Sequence, residues 1–529
     1  MRHGQVTKAT KEPAKPARIL IVGGGYVGMY TALRLQRRLK QRLRQAVGAD
    51  GAPAPDAPDA LGAPDAPVAT SLESAAGVAI TILDPDPYMT YQPFLPEAAA
   101  GSISPRHVVV PLRRVLPHCQ VIVGEARTID HDRRVAHIST LATAESDAAR
   151  AAHAAPGERP EPQTLELPYT ELVLAPGSVS RTLPVPGLAE HGIGFKTVEE
   201  AIGLRNHVLE QLDIASSTRD PALRDAALTF VFVGGGYAGV EALAELEDMA
   251  RYACRYYHNI SADDLRFLLV EASDRILPEV GAEMGGYALR ELRARNIDVR
   301  LQTRLDSCEN RVAVLSDGSR HPSRTLVWTA GVKPHPLLAR TGLPVTARGK
   351  LRCEPTLRVQ GTAHAWSAGD AAAVPDLAAE PAAERAAEPA QDRARGAASA
   401  DGAERPLCAP NAQHAVRQAR RLADNLAAVC EGREPTPYRH SYAGSVASLG
   451  LHKGVAHVYG RKLKGYPAWF MHRAYHLSRV PTFNRKARVL AEWVLSGLFK
   501  REIVSLGSLE HPRAEFELAA GTVRRPDEN

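Results

Sequence analysis

Two stretches decide the fold: RILIVGGGYVGMYTAL at 18–33 and LTFVFVGGGYAGVEAL at 228–243. Each runs from apolar, β-branched residues into three consecutive glycines, an aromatic, a small residue, a fourth glycine and then helix formers. In the first, Gly23, Gly25 and Gly28 satisfy G-x-G-x-x-G, with Tyr26 and Val27 between the last two. In the second, Gly234, Gly236 and Gly239 do so, with Tyr237 and Ala238 between. The first glycine of such a loop permits a tight turn, the second lets the backbone approach a pyrophosphate, and the third lets helix and strand pack closely. The phosphates then meet the helix N-terminus, where unpaired N–H groups favour anions. Two such loops in one chain predict two bound dinucleotides.

Each loop needs an acid at the end of the next strand to meet a ribose. For the first loop, VAITILD (78–84) supplies Asp84. The gap is longer than usual, and the Pro/Ala/Asp-rich insert that begins at residue 47 accounts for the excess; a strand-end turn is the other role open to Asp84. For the second loop, LRFLLVEA (265–272) supplies Glu271, which suits a 2′-hydroxyl and repels a 2′-phosphate, favouring NADH over NADPH. Arg275 moderates that preference. Glu241 lies just inside the second helix, where it either complements the helix dipole or serves the site.

Strand-like runs alternate with helix-like ones along most of the chain, which predicts α/β architecture with two Rossmann-like doubly wound domains. At 529 residues the chain is too long for one core. The segments around 47–76, 143–162 and 377–406 carry no core-forming pattern and are expected to be disordered inserts, as is the basic tail 1–16. A net charge of +6 is too small to indicate a partner. The six cysteines show no C-x-x-C pair and no metal-ligand spacing, so reduced structural thiols and no metal are expected. No run approaches the roughly 18–20 apolar residues of a membrane span.

Residues 452–501 change character, with eleven Lys or Arg against the single acid Glu492 and several aromatics interleaved. In RKARVLAEWVLSGLFK (485–500), Leu490, Trp493, Val494 and Leu498 fall on one helical face. A basic amphipathic helix with tryptophan suits an anionic membrane surface. A dimerisation or core-packing helix fits the same pattern. No nucleic-acid-binding module is visible.

Longer segments resemble the type II NADH:quinone oxidoreductases, a family of two-dinucleotide flavoproteins. TYQPFLPEAAAGSISP (90–105) is similar to that family's flavin-contacting segment. YTELVLAPGSVSRTLPVPGLAEHGIGFKTVEEAIGLRNHVL (169–209), EASDRILPE (271–279), WTAGVKPHPL (328–337) and AWSAGDAA (365–372) match it in order and spacing. The resemblance implies FAD in the first fold, with the NADH fold inserted within it. Domain boundaries follow: 17–198 and 346–450 for FAD, 199–345 for NADH, and 451–529 for a membrane-surface or dimerisation region. It further implies FAD contacts from Gln92, Pro93, Ala175, Gly177, Ala412 and the Gly369-Asp370 turn, and NADH contacts from Ala330 and Gly331. Gln413 and Glu241 are the implied catalytic residues, Gln413 on the quinone side and Glu241 positioning the nicotinamide or relaying protons. LKGYPAWFMHRAYHLSRVPTFNRKARVLAEW (463–493) is similar to the family's membrane-attachment region, which implies a peripheral protein on the cytoplasmic face of the cell membrane. Two departures stand out. The family's A-T-G is Ala175-Pro176-Gly177, and A-Q-x-A-x-Q-Q is AQHAVRQ (412–418), with Arg417 in place of the second glutamine. The activity implied is NADH oxidation with two-electron quinone reduction and no proton pumping. A soluble reductase serving an iron–sulfur protein or oxygen, and a non-catalytic flavin- and NADH-binding sensor, are the rivals.

Overall fold

The structure is a computed structural model describing residues 16–49, 77–153, 163–378, 406–440, 444–458, 460–499, 501 and 503–505. The chain divides into two compact units. One comprises Met1–Met89, Val110–Val179 and Val332–Tyr442; the other Thr90–Val109, Ser180–Gly331 and Ala443–Asn529.

The first unit is built on a seven-stranded sheet. Its strands run in the order Ala365–Ser367, Glu171–Leu174, Ala17–Val22, Val78–Asp84, Gln120–Asp130, Val135–Thr140 and Leu165–Pro168. The first five are parallel and the last two pair antiparallel. Central strands buried on both faces must be apolar throughout. Residues Ile19, Leu20, Ile21 and Val22 are accordingly at most 4% exposed. The helix after the glycine loop, Tyr26–Ala49, packs against a second helix, Ala412–Cys430. Arg34 donates to Asp424 at 2.6 and 2.9 Å and ties the two helices together.

The second unit contains an all-parallel five-stranded sheet, ordered Gly192–Gly194, Thr325–Trp328, Thr229–Val233, Arg266–Val270 and Ile297–Arg300. The helix Tyr237–Ala253 follows its glycine loop. The C-terminal part of this unit opens with a three-stranded antiparallel sheet, Gly444–Ser448, Gly454–Val458 and Arg461–Lys464, which the sequence reading did not separate from the helices. Two helices follow, Tyr466–Arg479 and Phe483–Phe499.

Three sequence expectations are corrected. The segment expected to be disordered around 143–162 is helical over Leu141–His153, because its alanines favour helix and polar residues alone do not prevent one. The first insert likewise starts late, since the helix from Tyr26 continues to Ala49. Trp493 does not share the exposed apolar face. It turns inward and donates through Nε1 to Glu97 at 2.5 Å, while Leu490, Val494, Leu495, Leu498 and Phe499 are each half-exposed or more. The rest of the inserts (50–76, 154–162 and 379–405) and the tail 1–15 lie outside the described residues. At the third insert Asp376 N donates to Pro406 O at 2.8 Å, so its ends are pinned together and the insertion leaves the surrounding strands in register.

Two glycine cradles and their acids

In the first unit Gly23 closes the strand by donating to Leu83 O at 2.8 Å and adopts φ +107°. A Cβ there would collide with the Ala175 carbonyl, and one at Gly28 with the Gly23 carbonyl, so only glycine lets strand, turn and helix approach this closely. Gly25 and Gly177 differ: a Cβ on either would meet nothing, so the backbone there borders open space. Asp84 grips the loop. Its Oδ2 accepts from Gly24 N at 2.5 Å and its Oδ1 from Asp86 N at 2.8 Å. Burial pushes this carboxyl up to about 6, against the two N–H donors, which pull it down.

The distant Gly369-Asp370 turn joins the same unit. Gly369 N donates to Gln418 Oε1 at 2.7 Å, and Ser178 Oγ donates to Asp370 Oδ2 at 2.6 Å. A Cβ at Gly369 would meet Val27 Cγ2 at 2.8 Å, which places the turn beside the first glycine loop. Ala412 and Gln413 begin the helix whose buried Gln418 fixes that turn; the helix is capped by Asn411, which accepts from His414 N at 2.9 Å. Arg417 reaches His440, Nη1 to Nδ1 at 3.2 Å, and His440 stacks on His414 with centroids 3.9 Å apart. Burial, with His414 and Arg417 alongside, holds His440 down near 4, so it is neutral and accepts from the arginine.

The second cradle repeats the first. Gly234 donates to Val270 O at 2.9 Å with φ +116°, and a Cβ at Gly239 would collide with the Gly234 carbonyl. Gly236 borders open space, as Gly25 does. Tyr237 and Ala238 form the first turn of the helix. Glu271 holds the loop as Asp84 does, Oε2 accepting from Gly235 N at 2.5 Å and Oε1 from Ser273 N at 2.7 Å. Arg275 pairs with its neighbour Asp274 at 3.0 Å. Gly331 turns with φ +97° and donates to Thr329 O at 2.8 Å, with Ala330 between them, after the buried strand Thr325–Trp328.

Gln92 and Pro93, expected with the first cradle, belong to the compact unit that holds the second, and Gln92 Nε2 donates to Lys196 O at 3.4 Å. Glu241 is 7% exposed. Its Oε1 accepts from Ser448 N at 2.8 Å and lies 3.1 Å from His472 Nε2, partners that a residue serving only the helix dipole does not need. Sequence reasoning missed Ser178, Gln418 and His472. Gln418 carried a signal, as the last residue of AQHAVRQ; the other two carried none.

Both cradles, each with its acid clamped to the middle glycine, define a two-dinucleotide protein. Residues 62–392, more than half the chain, match the pyridine nucleotide-disulphide oxidoreductase family, and the chain belongs to it. The cysteines among the described residues are all unpaired. Among curated relatives, the chain is 24% identical over 455 residues to the external alternative NADH-ubiquinone oxidoreductase of Yarrowia lipolytica, covering 80% of this chain and 76% of that one. It is 23% identical over 507 residues to the type II NADH:quinone oxidoreductase Ndh of Mycobacterium tuberculosis, covering 93% and 90%. The structure of NDH2 from Plasmodium falciparum in complex with NADH superposes with a TM-score of 0.73 at 15% identity, over 93% of this chain and all of that one.

Proposed function

We propose that the protein is an FAD-dependent NADH dehydrogenase that passes two electrons to a quinone without pumping protons. The observation that carries this reading is the duplicated cradle: two glycine loops with open backbone at Gly25 and Gly236, each held by an acid through the middle glycine. FAD, when bound, supplies a centre that accepts a hydride from NADH and gives up electrons singly or in pairs. On this reading Gly23, Gly25, Tyr26, Val27, Gly28, Asp84, Ala175, Gly177, Gly369, Asp370 and Ala412 hold FAD. The residues present fit a dinucleotide: the space beside Gly25 and Gly177 is open to phosphate, and Asp84 and Asp370 keep lone pairs for hydroxyl donors. Gly234, Gly236, Tyr237, Ala238, Gly239, Glu271, Ala330 and Gly331 hold NADH, and Glu241 and Gln413 serve the chemistry. The partition into FAD parts 17–198 and 346–450 around an NADH domain at 199–345 belongs to the same reading.

Quinones partition into membranes, and the helix Phe483–Phe499 offers a surface for reaching them. No helix among the described residues is long and apolar enough to cross a bilayer. Phe483, Leu490, Val494, Leu495, Leu498 and Phe499 stand exposed. A ridge of this kind beside basic residues lies in the interface of an anionic leaflet, giving peripheral attachment on the cytoplasmic face. A homodimer contact would cover the same residues, and flotation with vesicles separates the two. The function itself is tested by purifying the protein, recording its flavin spectrum and adding NADH without oxygen, then a quinone. Bleaching by NADH and recovery with the quinone are expected; a protein that takes up no flavin, or whose bleached flavin does not recover, overturns the reading.

A further inference from the structure

Arg417 stands where the A-Q-x-A-x-Q-Q signature has its second glutamine, and it has no task in the function proposed above. It lies one turn after Gln413 on the helix Ala412–Cys430, and residues four apart share a helix face. Both residues are half-buried, whereas His414, Ala415, Gln418 and Ala419 beside them are enclosed. The enclosed face is tied down: Gln418 Oε1 accepts from Gly369 N at 2.7 Å, and a Cβ at Gly369 would meet Ala415 Cβ at 3.5 Å. Gln413 and Arg417 therefore sit close to the Gly369-Asp370 turn on a face that solvent still reaches.

A neutral group supports the guanidinium. Arg417 Nη1 lies 3.2 Å from His440 Nδ1. A guanidinium only donates, so His440 Nδ1 carries the lone pair of a neutral imidazole. The ring is itself fixed. It stacks on His414, and the hydroxyl of Tyr438, a residue 3% exposed, lies 3.1 Å from the Nδ1 of each histidine. Burial holds the pKa of His414 down as it does that of His440, and Asp376, which pulls both upward, does not reverse the shift. A neutral support of this kind orients the guanidinium and cancels none of its charge, whereas a carboxylate in the place of His440 would cancel it.

We propose that Arg417 is a specificity-determining residue for the electron acceptor, selecting quinones that carry an ionised ring hydroxyl over neutral quinones, with His440 as its positioning residue. This rests on the function proposed above, in which Gln413 serves the quinone side. An amide side chain at this position offers a neutral donor, which suits a quinone carbonyl whether or not an anion adjoins it. A guanidinium offers two N–H groups in one plane, matching the adjacent carbonyl and O⁻ of an ionised 2-hydroxyquinone. Its charge also offsets the cost of taking that anion out of water. Arg417 thus acts on which acceptor binds.

The test uses the full-length flavin-loaded protein with NADH and two soluble acceptors, 2-hydroxy-1,4-naphthoquinone, ionised at pH 7, and the neutral 2-methyl-1,4-naphthoquinone. The readout is the ratio of kcat/KM for the first to that for the second. Arg417→Gln is expected to lower this ratio at least about tenfold, the scale of one charge-assisted hydrogen bond. Arg417→Lys is expected to lower it less, and His440→Ala in part. Taken relative to Arg417→Gln, the wild-type ratio is expected to fall as pH drops through the hydroxyquinone's own pKa, because the acceptor then loses its charge, and to fall with added salt. A merely structural role would weaken both acceptors together and leave the ratio unmoved. Equilibrium dialysis of each quinone against the oxidised protein reads the same preference without turnover. An unchanged ratio and unchanged relative affinity in folded Arg417→Gln overturn the proposal. So does a wild-type preference indifferent to pH, or a wild-type protein that fails to bind the hydroxyquinone. Wild-type protein that binds it through Arg417 but reduces neither quinone would instead overturn the functional reading beneath it.

Discussion

The Glu97 carboxylate lies 3.3 Å from the Arg473 guanidinium, and both side chains are almost fully enclosed. Arg473 is flanked by the rings of Trp469 and Trp493, 4.3 and 4.9 Å from their centroids. Trp493 Nε1 also donates to Glu97, and Ser104 N donates to Glu492 at 2.5 Å. The segment that follows Thr90 is thereby fastened to the two C-terminal helices, so 90–109 and 443–529 belong to one compact unit. The basic tail is partly an internal clasp rather than wholly a solvated surface.

Arg473→Ala should therefore destabilise the protein strongly. Removing one partner of a buried pair leaves an uncompensated charge, at a cost of about 3–5 kcal/mol. Thermal unfolding is expected to show a lower Tm, with Arg473→Lys milder but not neutral because lysine loses the planar stacking on the two tryptophans. An unchanged Tm would mean that the clasp carries no stability.

Asp84→Asn separates the carboxyl's electrostatic cost from its hydrogen bonds. The Asp84 pKa in the folded protein stands at about 6 against an ordinary 3.8, so its favourable contribution is complete below the ordinary value and is lost as pH rises through 6. The asparagine variant, which still accepts from Gly24 N, is expected to gain on the wild type between pH 4 and 6 by up to about 3 kcal/mol, and to hold that gain above pH 6. Denaturant titrations of the flavin-free protein at pH 4, 5, 6 and 7 measure it. The same change is expected to weaken FAD binding about tenfold or more through the lost charge-assisted bond.

Glu271 fixes the second loop, and on the proposed function it also repels a 2′-phosphate. Glu271→Gln keeps the Gly235 contact while removing the charge, so the preference for NADH over NADPH, taken as the ratio of kcat/KM, should fall about tenfold or more. A ratio that does not move would assign the preference to other residues.

The exposed ridge on the last helix carries a fourth prediction. Leu495→Asp with Leu498→Asp should abolish flotation with vesicles containing anionic lipid while leaving the flavin spectrum intact, since both side chains are more than half exposed. Flotation undiminished in the double variant would place the attachment elsewhere, and a loss of dimer without loss of flotation would make the ridge a subunit contact.

The sequence by itself determined both cradles. Gly23, Gly28, Gly234 and Gly239 are required by backbone collisions a few residues away, and Asp84 and Glu271 are set by the length of one strand, so the pattern is written locally. The parallel sheets followed from the same rhythm of apolar runs. Tertiary structure alone decided which way the C-terminal side chains point. Helical spacing grouped Trp493 with Leu490, Val494 and Leu498, yet a face of a helix is known only when the element docked against it is known, and here Glu97 and Ser104 draw Trp493 and Glu492 inward. The contact between Glu241 and His472 is of the same kind. Its members come from segments far apart in the chain, and no local spacing announces that a buried carboxylate and an enclosed imidazole will share 3.1 Å.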